Sequence, residues 1–170
     1  MAEGRARGQY APMQAILDLV LGPLPDAHEV ARVAARLVAA LIAGAVVGYQ
    51  RQRAGKAAGL RTHILVCMGN ALFVIAGLEA GMGEDALSRI VQGLATGIGF
   101  LGAGAIIKME GTHEIRGLTT AAGIWLTSAV GVLIGFGRIG VAALAVLLAW
   151  IVLALFVKAE RRIEGSGDSA

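Results

Sequence analysis

Charged residues, aromatic residues and cysteine are all scarce in this sequence, and each scarcity excludes a class of protein. Only 16% of the 170 residues are charged and 5% are aromatic, whereas soluble domains carry roughly 25% charged residues. The lone Cys67 excludes an internal disulfide and a cysteine metal cluster, and it suits a buried helix face. The remainder is 56% hydrophobic with a mean hydropathy of +0.72. This composition predicts a protein that resides in a lipid bilayer.

Long apolar runs are abundant, and five of them reach the roughly 20 residues that a membrane helix needs. They predict an all-α integral membrane bundle of five transmembrane helices at residues 31–49, 62–78, 90–107, 118–136 and 139–157. Asp26 followed by Glu29 is a helix-capping signal ahead of the first span. Residues 158–170 are predicted to be a short basic and then disordered cytoplasmic tail.

The first 30 residues are predicted to be a tail outside the bundle. Between Ile16 and Leu24 apolar residues recur at helical spacing, which indicates either a short amphipathic helix on the membrane surface or a flexible tail. Asp18 interrupts this apolar patch and Pro23 closes it, so the pattern does not predict a cleavable signal peptide.

The number of Lys and Arg residues alternates between high and low in successive connections of the predicted spans. The connections after the first and third spans and the C-terminal segment are basic, whereas those after the second and fourth spans carry one Arg each. Lys and Arg concentrate on the cytoplasmic side of membrane proteins. We therefore expect an outward N-terminus and a cytoplasmic C-terminus. The cytoplasmic connections would hold Arg51, Arg53, Lys56, Arg61, Lys108 and Arg116, and the outward ones Arg89 and Arg138.

The segment GIGFLGAGAIIK in the third span places Gly97, Gly99 and Gly102 in the G-x-G-x-x-G register of a dinucleotide-binding loop. Such a loop follows a strand and opens a helix. Here apolar sequence continues on both sides at membrane-spanning length, so we favour a glycine-rich transmembrane helix and expect no bound cofactor.

Membrane helices associate where small residues let two backbones approach closely. The third span carries small residues on two of its faces. It is therefore predicted to lie at the centre of the bundle, packed between the first and fourth spans. The predicted packing residues are Ala40, Gly44 and Gly48 in the first span, Gly93, Gly97, Gly99, Gly102 and Gly104 in the third, and Gly123, Thr127, Gly131 and Gly135 in the fourth.

Polar residues inside the predicted spans are few, and Asn70 is the most notable. We expect it to form an interhelical hydrogen bond. The spans lack a central Asp, Glu, Lys or His, which argues against a proton-coupled pump or an intramembrane hydrolase. Asp85 and Arg89, spaced i and i+4, are predicted to cap the third helix and to pair with each other. We expect no catalytic residue and no metal site.

Charge concentrates at the predicted cytoplasmic ends, where GLRTHILV and GLTTAAGI echo each other as a degenerate repeat. Helix N-termini attract anions, and threonines there would either cap the helices or add hydroxyl donors. These features predict an anion-binding or acidic-partner site, unless the charges only anchor the protein on anionic lipid headgroups. The candidate residues are Arg61, Thr62, His63, Lys108, Arg116, Thr119 and Thr120.

Three ordered motifs closely resemble the signature stretches of the MgtC/SapB family of bacterial inner-membrane proteins: AGLRTHILVCMGNALFV, GIGFLGAGAIIK and IRGLTTAAGIW. The segment GEDALSRI resembles the entry to the family's glycine helix, and the likeness extends from Gly44 to about Gly137. The resemblance implies five spans in a multi-pass bacterial inner-membrane protein. It also implies a role in magnesium limitation or envelope stress, with survival inside host cells in pathogens.

Two departures from the family limit what the resemblance implies. Many members carry Glu after the first span, where this chain has Gln50. Some members carry a soluble C-terminal domain, whereas this chain is expected to be the transmembrane core alone. We expect a non-enzymatic protein that acts through another membrane complex, such as ATP synthase or a transporter. The alternative is a small oligomeric ion transporter or channel. The expected partners are the lipid bilayer, that complex and a second copy of the chain, and no nucleic acid.

Overall fold

A computed structural model describes residues 26–108 and 115–167. The chain divides into two units, Met1–Arg32 and Val33–Ala170. The five predicted helices are confirmed in the described residues, together with one two-stranded hairpin that was not predicted. In chain order the elements are α1 (Ala27–Arg53), α2 (Leu60–Glu79), α3 (Glu84–Gly104), β1 (Ile107–Lys108), β2 (Ile115–Arg116), α4 (Leu118–Gly135) and α5 (Ile139–Gly167). The predicted surface helix at residues 16–24 lies outside the described residues.

The helices α1 to α4 are long and apolar enough to cross a membrane, and α5 contributes the shorter apolar stretch Ile139–Ala154. Helix α1 begins with the predicted capping box: Glu29 N–H donates to Asp26 Oδ1 at 2.7 Å, and Asp26 N–H donates to Glu29 Oε2 at 3.2 Å. These bonds satisfy amides that have no partner within the helix. At its other end α1 continues to Arg53, four residues beyond the predicted span.

Helices α2 and α4 form the central pair of the bundle and share its most extensive interhelical contact. Small residues make this contact close: a Cβ on Gly135 would lie 2.7 Å from Val74 Cβ, and one on Gly131 would overlap the Cys67 carbonyl oxygen. Cys67 is buried here, as predicted. The small face of α1 packs on α2 as well, because a Cβ on Gly44 would lie 2.7 Å from the His63 carbonyl oxygen.

The prediction that α3 lies at the centre of the bundle is wrong for a single chain. Only 11% of its apolar window is buried, against 44% for α2 and 50% for α4. Gly93, Gly97, Gly99 and Gly104 have open space where a Cβ would stand, and only Gly102 approaches a neighbour, Ala121 of α4, at 3.7 Å. The glycines of α1 and α4 instead pack on α2, whose backbone approaches closely at Gly44, Gly131 and Gly135.

A short hairpin connects α3 to α4, with Ile107 paired to Arg116 and Lys108 paired to Ile115. Helix α3 therefore ends at Gly104, before the predicted boundary. Gly117 follows the hairpin with φ of 95°, and a Cβ there would overlap the carbonyl oxygen of Ala105. Only glycine combines this backbone conformation with such a close approach. The hairpin holds the start of α4 beside the end of α3.

Residues 158–167 of the predicted tail are helical instead, because α5 continues to Gly167, and residues 168–170 lie outside the described residues. Ala, Lys, Arg and Glu follow the apolar part of this helix, and all four are strong helix formers. The apolar part packs on the central pair through Ala142 and Val146, both buried in the same core as Ile134.

Candidate functional site

The most unusual side chains of the bundle lie together at one end, where α1 finishes and α2 and α4 begin. Arg51, His63 and Thr120 are 2%, 0% and 3% exposed, and Arg51 and His63 lie next to the buried Gly123. We call these four residues the basic cluster. Buried cations are costly unless they are paired. The basic cluster is therefore the first place to look for a function.

Arg51 joins α1 to α4, because its Nη2 donates a hydrogen bond to Thr120 Oγ1 at 3.0 Å. Its Nε–H is also buried, and among the described residues it has no hydrogen-bond partner. At the opposite end of α1, Arg36 Nη1 donates to the Gly135 carbonyl oxygen at 3.0 Å. The two contacts show that α1 runs antiparallel to α4 along nearly the whole length of α4.

His63 lies in the first turn of α2, and its Nδ1 is 2.9 Å from the Gly59 carbonyl oxygen. A carbonyl oxygen only accepts, so Nδ1 carries the proton and donates this bond. The other ring nitrogen, Nε2, is buried and without a hydrogen-bond partner in the described part of the chain. A Cβ on Gly123 would lie 3.7 Å from His63 Nε2 and 4.0 Å from Arg51 Nε. Both unpartnered nitrogens are thus packed next to Gly123.

A second polar contact lies deeper in the bundle. Ser128 Oγ of α4 donates to Asn70 Oδ1 of α2 at 2.8 Å, and Asn70 Nδ2 donates to the Val66 carbonyl oxygen at 2.7 Å. The predicted interhelical hydrogen bond of Asn70 is therefore present. Thr127 instead bonds within its own helix, where its Oγ1 donates to the Gly123 carbonyl oxygen at 2.8 Å. Both contacts satisfy buried polar groups.

The other predicted site residues are dispersed around the basic cluster. Arg61, Arg116 and Thr119 are exposed and Thr62 is half-buried. Lys108 lies in β1. The predicted threonine caps are absent, because α2 and α4 both begin after a glycine with no side-chain cap. Gln52 of α1 instead provides an acceptor at the start of α2, since its Oε1 accepts a hydrogen bond from Leu60 N–H at 3.2 Å.

Asp85 and Arg89 lie in the first two turns of α3, both exposed. The predicted cap is not formed, because Gly83 occupies the N-cap position without a side-chain hydrogen bond. The predicted Asp85–Arg89 ion pair is likewise not among the salt bridges of the described residues. Asp85 instead supplies its carbonyl oxygen to Ser88 Oγ at 3.1 Å. Its carboxylate and the Arg89 guanidinium both remain at the surface.

Arg89 lines an open groove between α2 and α3 of about 510 Å³. Gly93 and Gly97 form its α3 side, and Asn70 and Phe73 contribute from α2. We call this the glycine groove. The segment that the sequence presented as a possible dinucleotide-binding loop is thus part of a helix. Its glycine face is not covered by another helix of the same chain.

Sequence reasoning missed Arg51 as a site residue, since it was counted as a charge in the first connection. A signal was available: Arg51 follows Gly48 by three residues and Gly44 by seven, which continues the small face of α1. Gln50 was noted only as a departure from the family. Its Oε1 is buried and accepts no hydrogen bond from the described residues.

Residues 37–162 match the model of the MgtC family. The chain is 50% identical over 113 residues to protein SrpB of Synechococcus elongatus, covering 60% of this chain and 62% of SrpB. It is 42% identical over 128 residues to YhiD of Escherichia coli K12, described as a candidate magnesium transporter, covering 71% of this chain and 59% of YhiD.

The third relative is protein MgtC of Salmonella typhimurium, 39% identical over 127 residues, covering 75% of this chain and 53% of that protein. The chain thus spans about half to three fifths of the length of these relatives. No solved structure matches it.

Proposed function

The chain belongs to the MgtC family, and from that premise we propose that it is a non-enzymatic protein that modulates another membrane complex during magnesium limitation or envelope stress. Its family and its apolar helices make it a multi-pass inner-membrane protein. Magnesium homeostasis is suggested by the family and by the description of YhiD. We propose that the chain acts by binding a transmembrane helix of a partner such as ATP synthase or a transporter.

The uncovered glycine groove is the observation that carries this proposal. Gly93 and Gly97 form a small-xxx-small pair with open space above both residues. Transmembrane helices approach closely at such pairs. Gly131 and Gly135 of α4 have the same spacing, and there a neighbouring helix fills the space. The glycine groove can accept a helix from outside the chain in the same manner.

Charge favours a different protein over a second copy in this groove. Arg89 lies one turn before Gly93 on the same face of α3, and it lines the groove. Two copies crossing in parallel at Gly93 and Gly97 would bring their Arg89 guanidiniums to the same level, where like charges repel. A partner helix with an acidic or polar residue at that level would instead pair with Arg89.

In vivo photocrosslinking in the native bacterium tests this proposal. A photoreactive residue replaces Leu101, which lines the glycine groove, or Leu144, an exposed residue of α5. We expect the Leu101 probe to capture a subunit of another membrane complex and the Leu144 probe not to. Gly97→Leu should abolish both the crosslink and the rescue of a deletion strain under magnesium limitation. Gly140→Leu, at another open glycine, should preserve both.

Two results would overturn the proposal. One is a Leu101 crosslink only to a second copy of the chain, which would identify a homo-oligomer face. The other is full rescue of growth by Gly97→Leu in membranes that contain normal amounts of the protein. Comparing the abundance of the two leucine variants separates loss of binding from loss of the protein.

The description of YhiD supports a second candidate, a small oligomeric ion transporter. The buried cation Arg51 would repel Mg²⁺ inside one chain, so any path would have to lie between protomers. Flux measurements in liposomes discriminate between the two candidates. Selective magnesium flux that is lost in Gly97→Leu or Asn70→Leu would favour the transporter.

A further inference from the structure

We propose that Arg36 and Arg138 bind the phosphate of an anionic phospholipid whose acyl chain lies in an apolar groove between α1 and α5. The groove has a volume of about 520 Å³, and Ile134 of α4 contributes to its lining. We call it the α1–α5 groove. It is separate from the glycine groove, which α2 and α3 form, so this inference does not depend on the proposed partner helix.

The lining and length of the α1–α5 groove are the first step of the argument. Its α1 side consists of residues between Ala39 and Val46, and its α5 side runs from Ile139 to Trp150. The lining side chains are aliphatic apart from this one tryptophan. From Ile139 to Trp150 the groove extends for about 16 Å along α5. One leaflet provides about 15 Å of hydrocarbon, half of the bilayer core. The groove therefore matches the length of an acyl chain in one leaflet.

Two arginines lie at one end of this groove. Arg36 is one turn before the groove lining on the same face of α1, and Arg138 immediately precedes α5. Arg36 Nη1 donates to the Gly135 carbonyl oxygen at 3.0 Å, and a Cβ on Gly137 would lie 3.2 Å from Arg36 Nη2. The Arg36 guanidinium is therefore held against the turn that carries Arg138.

The two arginines have no counterion in the described part of the chain, where neither pairs with a carboxylate. Arg138 is exposed and Arg36 is half-buried, and the bond to Gly135 uses one of the five N–H groups of Arg36. Neighbouring like charges repel, and an anion between them relieves that repulsion. Guanidinium groups bind phosphate through paired hydrogen bonds. This end of the groove therefore suits a phosphate group.

Charge favours an anionic phospholipid over a second copy of the chain. Two copies that met at their α1–α5 grooves would bring both arginine pairs to the same level of the membrane, where they would repel. A zwitterionic headgroup carries a cation of its own, which would lie near the same arginines. Phosphatidylglycerol carries none. Basic pockets between transmembrane helices bind anionic headgroups in this way.

Quenching of tryptophan fluorescence by brominated lipids tests the proposal, because Trp150 lines the groove. The chain has two tryptophans, so Trp125→Phe leaves Trp150 as the single reporter. The full chain is placed in nanodiscs of phosphatidylcholine and phosphatidylglycerol in equal amounts, with bromine on the acyl chains of one lipid or the other. We expect Trp150 to prefer brominated phosphatidylglycerol by about fivefold or more, the effect of one cation near an anionic headgroup.

Three further variants assign the preference to the arginines. Trp150→Phe leaves Trp125, which lines a different groove between α3 and α4, and there we expect equal quenching by the two lipids. Arg138→Gln, combined with Trp125→Phe, should lower the preference at Trp150 by about fivefold. Arg61→Gln removes an exposed charge at the opposite end of the bundle. In the same background it should leave the preference unchanged.

Equal quenching of Trp150 by the two lipids would overturn the proposal, and so would an unchanged preference in Arg138→Gln. If Trp150 is shielded from both brominated lipids, a protein segment covers the groove and the proposal is wrong. Arg138 is exposed, so its replacement tests the charge without removing an observed contact. Arg36→Gln would also remove the bond to Gly135. The result does not depend on the orientation of the chain, because both leaflets contain the same lipids.

Discussion

Glycine has three different roles in this chain, and the surroundings of each residue decide which one applies. At Gly117 the positive φ requires it. At Gly44, Gly131 and Gly135 the backbone of α2 stands where a Cβ would lie, or next to it. At Gly93 and Gly97 nothing within the chain occupies that position. The residue type is the same in all three cases, so only the neighbour distinguishes them.

Alanine substitutions separate packing glycines from open ones. We expect Gly131→Ala to destabilise the protein by about 1–3 kcal/mol, because its Cβ would overlap the Cys67 carbonyl oxygen. Gly69→Ala lies on α2 in open space and should be neutral or stabilise by up to about 1 kcal/mol. Unfolding by a denaturing detergent measures both. Equal stabilities for the two variants would contradict the observed contact between α2 and α4.

The hydrogen bond between Asn70 and Ser128 should contribute little to stability despite its burial. Interhelical hydrogen bonds in membranes average about 0.6 kcal/mol and reach about 1.7 kcal/mol. A double-mutant cycle with Asn70→Ala and Ser128→Ala should give a coupling free energy in that range. A coupling near zero would show that the two side chains act independently of each other.

At the scale of elements, α3 differs from its neighbours because so few of its residues are buried within the chain. Among its described residues Ile98 alone is buried, while Phe100 is 84% exposed. The sequence predicted the opposite, since small residues on two faces indicate two neighbours. That inference failed because small residues show that a helix can be approached closely, without identifying the chain that approaches. In this chain α2 lies at the centre of the bundle, although it has no ladder of small residues.

Local opening should reflect this difference in burial. We expect the amides of α3 to exchange hydrogen for deuterium faster than those of α2 in phosphatidylcholine nanodiscs. Mass spectrometry of peptides from the two helices measures this exchange. Addition of the partner captured by the Leu101 probe should slow α3 selectively. Equal protection of α2 and α3 without a partner would argue against a loosely held α3.

At the scale of the whole molecule, the contact between Arg51 and Thr120 shows that the first and third connections lie at the same end of the bundle. The alternation of Lys and Arg predicts that this end faces the cytoplasm. The end with Arg36, Gly135 and Arg138 would then face outward.

Cysteine labelling in intact cells tests the orientation, and the buried Cys67 keeps the background low. We expect an impermeant thiol reagent to label Met82→Cys and Arg138→Cys, in the second and fourth connections. It should leave Lys56→Cys, in the first connection, unlabelled until the cells are opened. The reverse pattern would invert the orientation, and the basic cluster would then lie at the outer surface.

The sequence alone determined that this is a bundle of five apolar helices with a capped first helix, because length, hydropathy and capping are local properties. It also indicated the family, since the motifs are contiguous in the chain. Only the tertiary structure decided which helix lies at the centre, which glycines are covered and that Arg51 meets His63 beside Gly123. Those features depend on which surfaces meet, and in a membrane hydrophobicity does not select among apolar faces.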